Sequence, residues 1–226
     1  VLMTNLEKIY LKHQDVAGFA RGYFAYLGEL LATLDPRDIS AFMDVLEAAR
    51  LSGSTIFIVG NGGSASTASH MGTDFGAAVR KVSNPGAQFS ALPLTDHVSM
   101  ITAAGNDYGY EHIFTEQLKT QYRAGDILIV ISGSGNSPNV VRAAEWVRER
   151  GGRVLGLLGF DGGALKEKDL CDVGIVVKTP KSEYGPVEDI HLILNHMFTH
   201  WMHLRFGTKT AAHERLFSPS YELYGL

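Results

Sequence analysis

Apolar side chains recur at mixed three- and four-residue spacing across residues 5–34: Leu6, Ile9, Tyr10, Val16, Phe19, Ala20, Tyr23, Phe24, Leu27 and Leu30. This is the period of one helical face and predicts a long apolar helix. Asp35-Pro36 ends it and opens a second helix through about Leu51, because proline fits a first helical turn, where its missing N–H is no loss. No strand precedes this helical segment (residues 1–52), so it has no slot in a sheet. Its apolar face is expected to cover a sheet's flank or to pack on another subunit.

From residue 53 the pattern changes. Five short β-rich runs follow, at 55–59, 87–92, 127–131, 154–158 and 173–177. Three of them are nearly continuous apolar, as strands buried on both faces should be. Helical stretches are predicted between and after them, at 64–80, 96–104, 110–123, 137–151 and 186–206. Strand–helix alternation predicts an α/β fold with a five-stranded parallel sheet and helices on both faces, in a core spanning 53–206. Residues 207–226 show no clear period, and their aromatics and Pro219 predict a tail packed on a surface. The sequence has no internal repeat, and no linker separates two domains.

Composition narrows the function classes. The chain has 226 residues, 45% hydrophobic and 19% charged, enough for a sizeable core within one domain. Its formal charge of −4 gives no electrostatic reason to expect nucleic acid or an anionic membrane as partner. The single cysteine, Cys171, cannot form an internal disulfide, so nothing requires an oxidising compartment. Apolar runs such as 127–131 are too short to span a bilayer. The first residues lack the basic and apolar regions of a signal peptide, so a cytoplasmic protein is the expectation.

Two loops carry the candidate chemistry. In the first, a buried strand runs into Gly60-Asn61-Gly62-Gly63-Ser64, and a helix follows with Ser64 as its expected N-cap. Glycines let the backbone turn sharply and let a ligand approach the amides. The free N–H groups and dipole of a helix start favour an anion. The loop is not Gly-x-Gly-x-x-Gly and no lysine follows, which disfavours the dinucleotide and P-loop readings. Standing alone, it reads equally well as a structural turn. The second loop, Ser132-Gly133-Ser134-Gly135-Asn136-Ser137, again ends a buried strand, and Pro138 suits the first turn of the next helix. Its three hydroxyls, with the amides between them, can surround phosphate oxygens without any lysine or arginine. Two such loops after different strands of one sheet mark the crevice where doubly wound folds bind ligands.

Together these loops resemble the sugar isomerase (SIS) domain family, and within it the phosphoheptose isomerases, which convert sedoheptulose 7-phosphate to a heptose 7-phosphate. The resemblance extends to the N-terminal helices, to Ala103–Gly109, to the turn at 159–163 and to the motif from Val187 to His196. It implies an aldose–ketose isomerase working through an enediolate. It implies a zinc ion held by His70, Asp74, Glu188 and His196, with Asp74 and His196 also the proton-transfer pair. Asp74 stands where the family has glutamate, and Glu188 where glutamine is usual. Ser64, Ser132, Ser134 and Ser137 match the phosphate-binding serines, while Asn61, Gly62, Gly63 and Asp107 join them as substrate-binding positions. A homotetramer with interfacial active sites is also implied.

The residues themselves set some terms. Moving a carbonyl between adjacent carbons needs a base for the carbon-bound proton and stabilisation of the charge that develops. His70 and Asp74 are four apart on a predicted helix and so share a face. Glu188 and His196 are eight apart, roughly 12 Å along a regular helix, too far for one zinc ion. Either Glu188 precedes the helix in a turned segment, or the site draws on two subunits. His191 could equally be a satisfied core histidine, and His200 and His203 read better as packing or surface residues. Rival readings are an isomerase of another anionic sugar, a non-catalytic SIS protein that binds a sugar phosphate, and, more weakly, a dehydrogenase.

Overall fold

A computed structural model of the chain describes residues 3–78 and 89–206. Three helices come first: α1 (Asn5–Lys12), α2 (Val16–Ala32) and α3 (Pro36–Ser52). Then follow β1 (Thr55–Gly60), α4 (Gly63–Thr73), a π-helical turn (Asp74–Ala78), β2 (Ser90–Pro93), α5 (Val98–Asp107) and a 3-10 turn (Tyr110–His112). The chain continues through α6 (Ile113–Gln121), β3 (Ile127–Ser132), α7 (Pro138–Arg148) and β4 (Arg153–Gly159). It closes with α8 (Gly163–Glu167), β5 (Val173–Val177) and α9 (Tyr184–Phe206). The strands form one all-parallel sheet in the order β2-β1-β3-β4-β5. The expected α/β class and five-stranded parallel sheet are the ones the chain adopts.

Alternate strand residues feed two separate cores. Ile56, Ile58, Ile129 and Leu155 point to one face, where α2, α3, α4 and α9 cover them with Leu30, Phe42, Met71 and Phe198. Phe57, Val59, Leu128 and Val130 point to the other, covered by α6 and α7 through Phe114, Leu118, Val140 and Val147. Both faces are covered, which is why the central strand β3 is buried throughout and apolar up to its last residue, Ser132. Across the first core the Phe42 and Phe198 rings stack with centroids 5.0 Å apart, so α3 and α9 touch directly.

The structure departs from the sequence reading at several element ends. The apolar period of 5–34 is cut into two helices. Asp15 accepts the Gly18 N–H and starts α2 afresh, a polar capping event that apolar spacing does not register. The helix expected at 64–80 is α-helical only to Thr73, after which Asp74 opens the π-helical turn. The stretch expected at 110–123 begins as a 3-10 turn and ends at Gln121. The start of the run at 87–92 and the tail at 207–226 lie outside the described residues.

Buried carboxylates tie these elements together. Asp126 accepts the Thr55 and Arg123 N–H groups at 2.7 and 2.8 Å, joining the starts of β1 and β3. Glu183, just before α9, accepts the N–H groups of Asn5 and Leu6 and the Tyr26 hydroxyl. It is 2% exposed, so α1 and α2 converge on a desolvated carboxylate. Burial, then the bond to Glu183, pushes the Tyr26 phenol up to about 12.

Candidate active site

β1 and β3 are neighbours and pair as far as Gly60 opposite Ile131, so their following loops emerge side by side. From β1 the chain goes outward to β2, and from β3 it goes the other way to β4. The two glycine- and serine-rich loops therefore flank the switch point, where a crevice opens in such sheets.

The first loop is built from backbone. Gly62 is the N-cap of α4 with φ 55° and ψ −125°, a conformation in which a side chain would be strained. The expected N-cap, Ser64, instead sits buried in the first turn. No side chain caps this helix, so its first amides have no side-chain acceptor. A side chain at Gly63 would collide with the Glu188 carboxylate, which places Glu188 of α9 over the start of α4. Burial, and to a lesser degree neighbouring Asp189, raises the Glu188 carboxyl above the usual range.

Side chains build the second loop. Pro138 lies in the first turn of α7, as expected, and Ser137 is the N-cap, yet its hydroxyl makes no capping bond. The Ser132 hydroxyl accepts the Gly135 N–H at 3.0 Å, and that of Ser134 accepts the Asn136 N–H at 3.3 Å. A hydroxyl that accepts keeps its own proton to donate. Asn61 and Asn139 join the two loops through a reciprocal pair of amide hydrogen bonds, both 2.9 Å. Beside them opens a cleft of about 620 Å³ lined by Asn61, Tyr110, Glu111, Ser137, Asn139 and Arg142 among others.

At the other end of α4, His70, Asp74 and His196 come together, with one ligand-type atom of each within 4.8 Å of the others. His70 Nε2 is 3.4 Å from Asp74 Oδ2 and 3.4 Å from His196 Nε2. Two ring nitrogens and a carboxylate oxygen that close favour a shared proton or a cation among them. Two nitrogens and one oxygen also make an acceptable partial ligand set for zinc. Asn195 Nδ2 donates to Asp74 Oδ2 at 2.8 Å and fixes that carboxylate, a contact that sequence reasoning missed. Its only signal was a polar residue on the buried face of the last helix.

The remaining candidates stand apart. Glu188 lies inside α9, so the turned-segment explanation of its spacing from His196 fails, and it is outside the three-residue cluster. Asp107 is exposed at the last position of α5, where its carboxylate accepts a bond from Asn106. His191 is fully buried, with Nε2 3.1 Å from the Leu158 carbonyl oxygen, and burial drives its pKa down to about 4. It is a core histidine. His200 is exposed and His203 half-buried.

A doubly wound α/β domain with polar strand-end loops at its switch point, and a His–Asp–His cluster behind them, is a recognisable class of ligand-binding domain. The pattern of the SIS domain matches residues 22–159. The phosphoheptose isomerase of Pelobacter propionicus is 38% identical over 170 residues, which cover 74% of this chain and 87% of that protein. The phosphoheptose isomerase of Rhodospirillum rubrum is 36% identical over 153 residues, 68% of this chain and 78% of that one. Among solved structures, the phosphoheptose isomerase GmhA of Neisseria gonorrhoeae superposes with a TM-score of 0.69 at 30% identity. That match covers 85% of this chain and 98% of the other. The chain belongs to the SIS domain family and, within it, to the phosphoheptose isomerases.

Proposed function

We propose that this protein is a sugar-phosphate isomerase that interconverts sedoheptulose 7-phosphate and an aldoheptose 7-phosphate. Its named relatives support the activity. The observation that carries the reading into this chain is the His70–Asp74–His196 cluster at the end of the helix whose uncapped start meets the serine loops. Ser64 and His70 are six residues apart on that helix, roughly 9 Å at 1.5 Å per residue. An extended sugar chain with a terminal phosphate covers such a span.

The phosphate is held by the α4 amides, Ser64, and the hydroxyls of Ser132, Ser134 and Ser137, with Asn61, Gly62, Gly63 and Asp107 contacting the sugar. Of Asp74 and His196, one takes the proton from C1 of the ketose and returns it to C2, and the other moves the proton between O1 and O2. Asn195 keeps the Asp74 carboxylate oriented through this exchange. A zinc ion held by His70, Asp74 and His196 would supply a Lewis acid for the two oxygens. Glu188 would complete that ligand set from a second subunit, since eight helical residues separate it from His196.

The assembly is a homotetramer with active sites between subunits. Ile193, Met197, Trp201 and Leu204 form an exposed apolar stripe on α9 beside His196, and Tyr10, Leu11, Val16 and Phe24 are exposed on α1 and α2. Sedimentation at micromolar concentration is expected to give a tetramer, and a stable monomer would remove the shared site. Among the described residues no helix is long and apolar enough to cross a membrane, which agrees with a cytoplasmic enzyme. The net charge of −4 offers nucleic acid no attraction.

The test of function is proton exchange in deuterated water across a panel of ketose phosphates. Sedoheptulose 7-phosphate should exchange its C1 proton fastest. Binding without exchange for every member would favour the non-catalytic SIS reading instead.

A further inference from the structure

The hydrogen bonds around Asn61 leave it a single function. Its Nδ2 donates to Asn139 Oδ1, and Asn139 Nδ2 donates back to Asn61 Oδ1, each at 2.9 Å. The Tyr110 hydroxyl donates to the same Asn61 Oδ1 at 3.0 Å. The polarity of this arrangement cannot reverse. The Val140 backbone N–H can only donate, and it meets Asn139 Oδ1 at 3.0 Å. That contact fixes which end of the Asn139 carboxamide is oxygen. It thereby fixes the orientation of Asn61, and it makes Tyr110 the donor. Asn139 is 1% exposed, so its end of the clasp is shielded from water.

Two donors occupy both lone pairs of Asn61 Oδ1. Among the described residues, what Asn61 has left is one N–H, in the cleft that it lines with Tyr110 and Ser137. We propose that Asn139 and Tyr110 are positioning residues that lock Asn61 as a donor to an anionic oxygen of the substrate. The identity of that substrate rests on the isomerase reading above; the locked polarity rests on the hydrogen bonds alone. An unlocked carboxamide could turn either end to a ligand and would accept from a sugar hydroxyl as readily as it gave to an oxygen. The locked one serves only an acceptor, such as a phosphate oxygen or the oxygen that gains charge when a ketose loses its C1 proton. The same clasp holds the first loop to the first turn of α7, so the α4 amides and the Ser137 hydroxyl keep their spacing.

Tyr110→Phe tests the lock cleanly, because Tyr110 is 61% exposed and the ring is kept. It should lower kcat/KM by roughly threefold to tenfold, the range for one hydrogen bond, and should change nothing in an Asn61→Ala background. An equal loss without Asn61 means that Tyr110 acts by itself, and the proposal falls. Asn139→Asp supplies a second readout, measured where circular dichroism shows the variant folded. Its carboxylate has no hydrogen for Asn61 Oδ1, but its protonated form does, so its activity relative to the parent should rise as the pH is lowered. A relative activity that stays flat with pH overturns the lock. Competition by inorganic phosphate then identifies the oxygen. Weaker competition in Tyr110→Phe assigns the phosphate, and unchanged competition with slower turnover assigns the carbonyl-derived oxygen. Side-chain amide NMR separates this proposal from the function reading. Slow exchange of the Asn61 Nδ2 proton that is given to Asn139 Oδ1 supports the clasp even in a chain without isomerase activity. Fast exchange of that bonded proton in the parent protein would refute it.

Discussion

The strand-end loops and the His70–Asp74–His196 cluster occupy the two ends of α4, and they are made of opposite materials. The loops are uncharged: glycine backbone, free helix amides and hydroxyls, held by internal hydrogen bonds. The cluster is titratable and partly open to solvent, with His70 and His196 exposed and Asp74 mostly covered. A site of fixed dipoles binds a permanent anion without any proton moving. A site of imidazoles and a carboxylate holds or releases protons and suits the carbon-bound proton. On the proposed reading, the difference divides binding and chemistry between separate parts, and separate parts can be broken one at a time.

The largest effect should come from the cluster. His196→Asn is expected to lower substrate proton exchange on the order of 10²–10⁴-fold, the usual share of a general acid or base, and Asp74→Asn should do likewise. Affinity for the phosphate ester, measured by calorimetry, should hardly change in either. Parallel losses of affinity and exchange would show that the two regions are one.

An intermediate effect should reach both regions together, through the helix that spans them. His191 lies in α9 between Glu188 and His196, buried and neutral, with its pKa lowered from 6.5 to about 4. The unfolded chain takes up this proton near pH 6.5, and the folded one only near pH 4. Its contribution to stability is therefore complete above pH 6.5 and lost as pH falls toward 4. The loss approaches roughly 3 kcal/mol, at about 1.4 kcal/mol per pKa unit. In His191→Gln the fall of melting temperature over that window should be shallower. An unchanged slope would mean that other groups govern acid stability.

The smallest effect belongs to the loops. Ser137→Ala removes one hydroxyl that no capping bond occupies. It should weaken phosphate-ester binding by about 1–3 kcal/mol, the value of a hydrogen bond to a charged group. Exchange at saturating substrate should persist. Unchanged affinity would return this loop to a purely structural turn.

What the sequence made legible follows the same division. The five strands, the switch-point loops and Ser137 before Pro138 are local patterns, written within a few residues. The pairing of His70 with Asp74 is also local, one turn of helix. His196 joins them from a sequence distance of 126 residues, and only the family resemblance anticipated it. Asn195, Tyr110 and Asn139 were not singled out, because their roles depend on partners brought near by the sheet order. Ser64 was misplaced as an N-cap because Gly62, with no side chain to cap anything, takes that position through its backbone angles.

Glu183 gives the fold a mechanical property of its own. None of the α1 residues is buried, so by itself this helix would fray and re-form many times before the domain opened. Yet its first amides end on a carboxylate 178 residues away, at the root of α9. The beginning of the chain is thereby moored to the helix that carries His196, and whatever lifts the root of that helix slackens the mooring. Seen this way, α1 and the root of α9 share one anchor, and a disturbance at either is felt at the other.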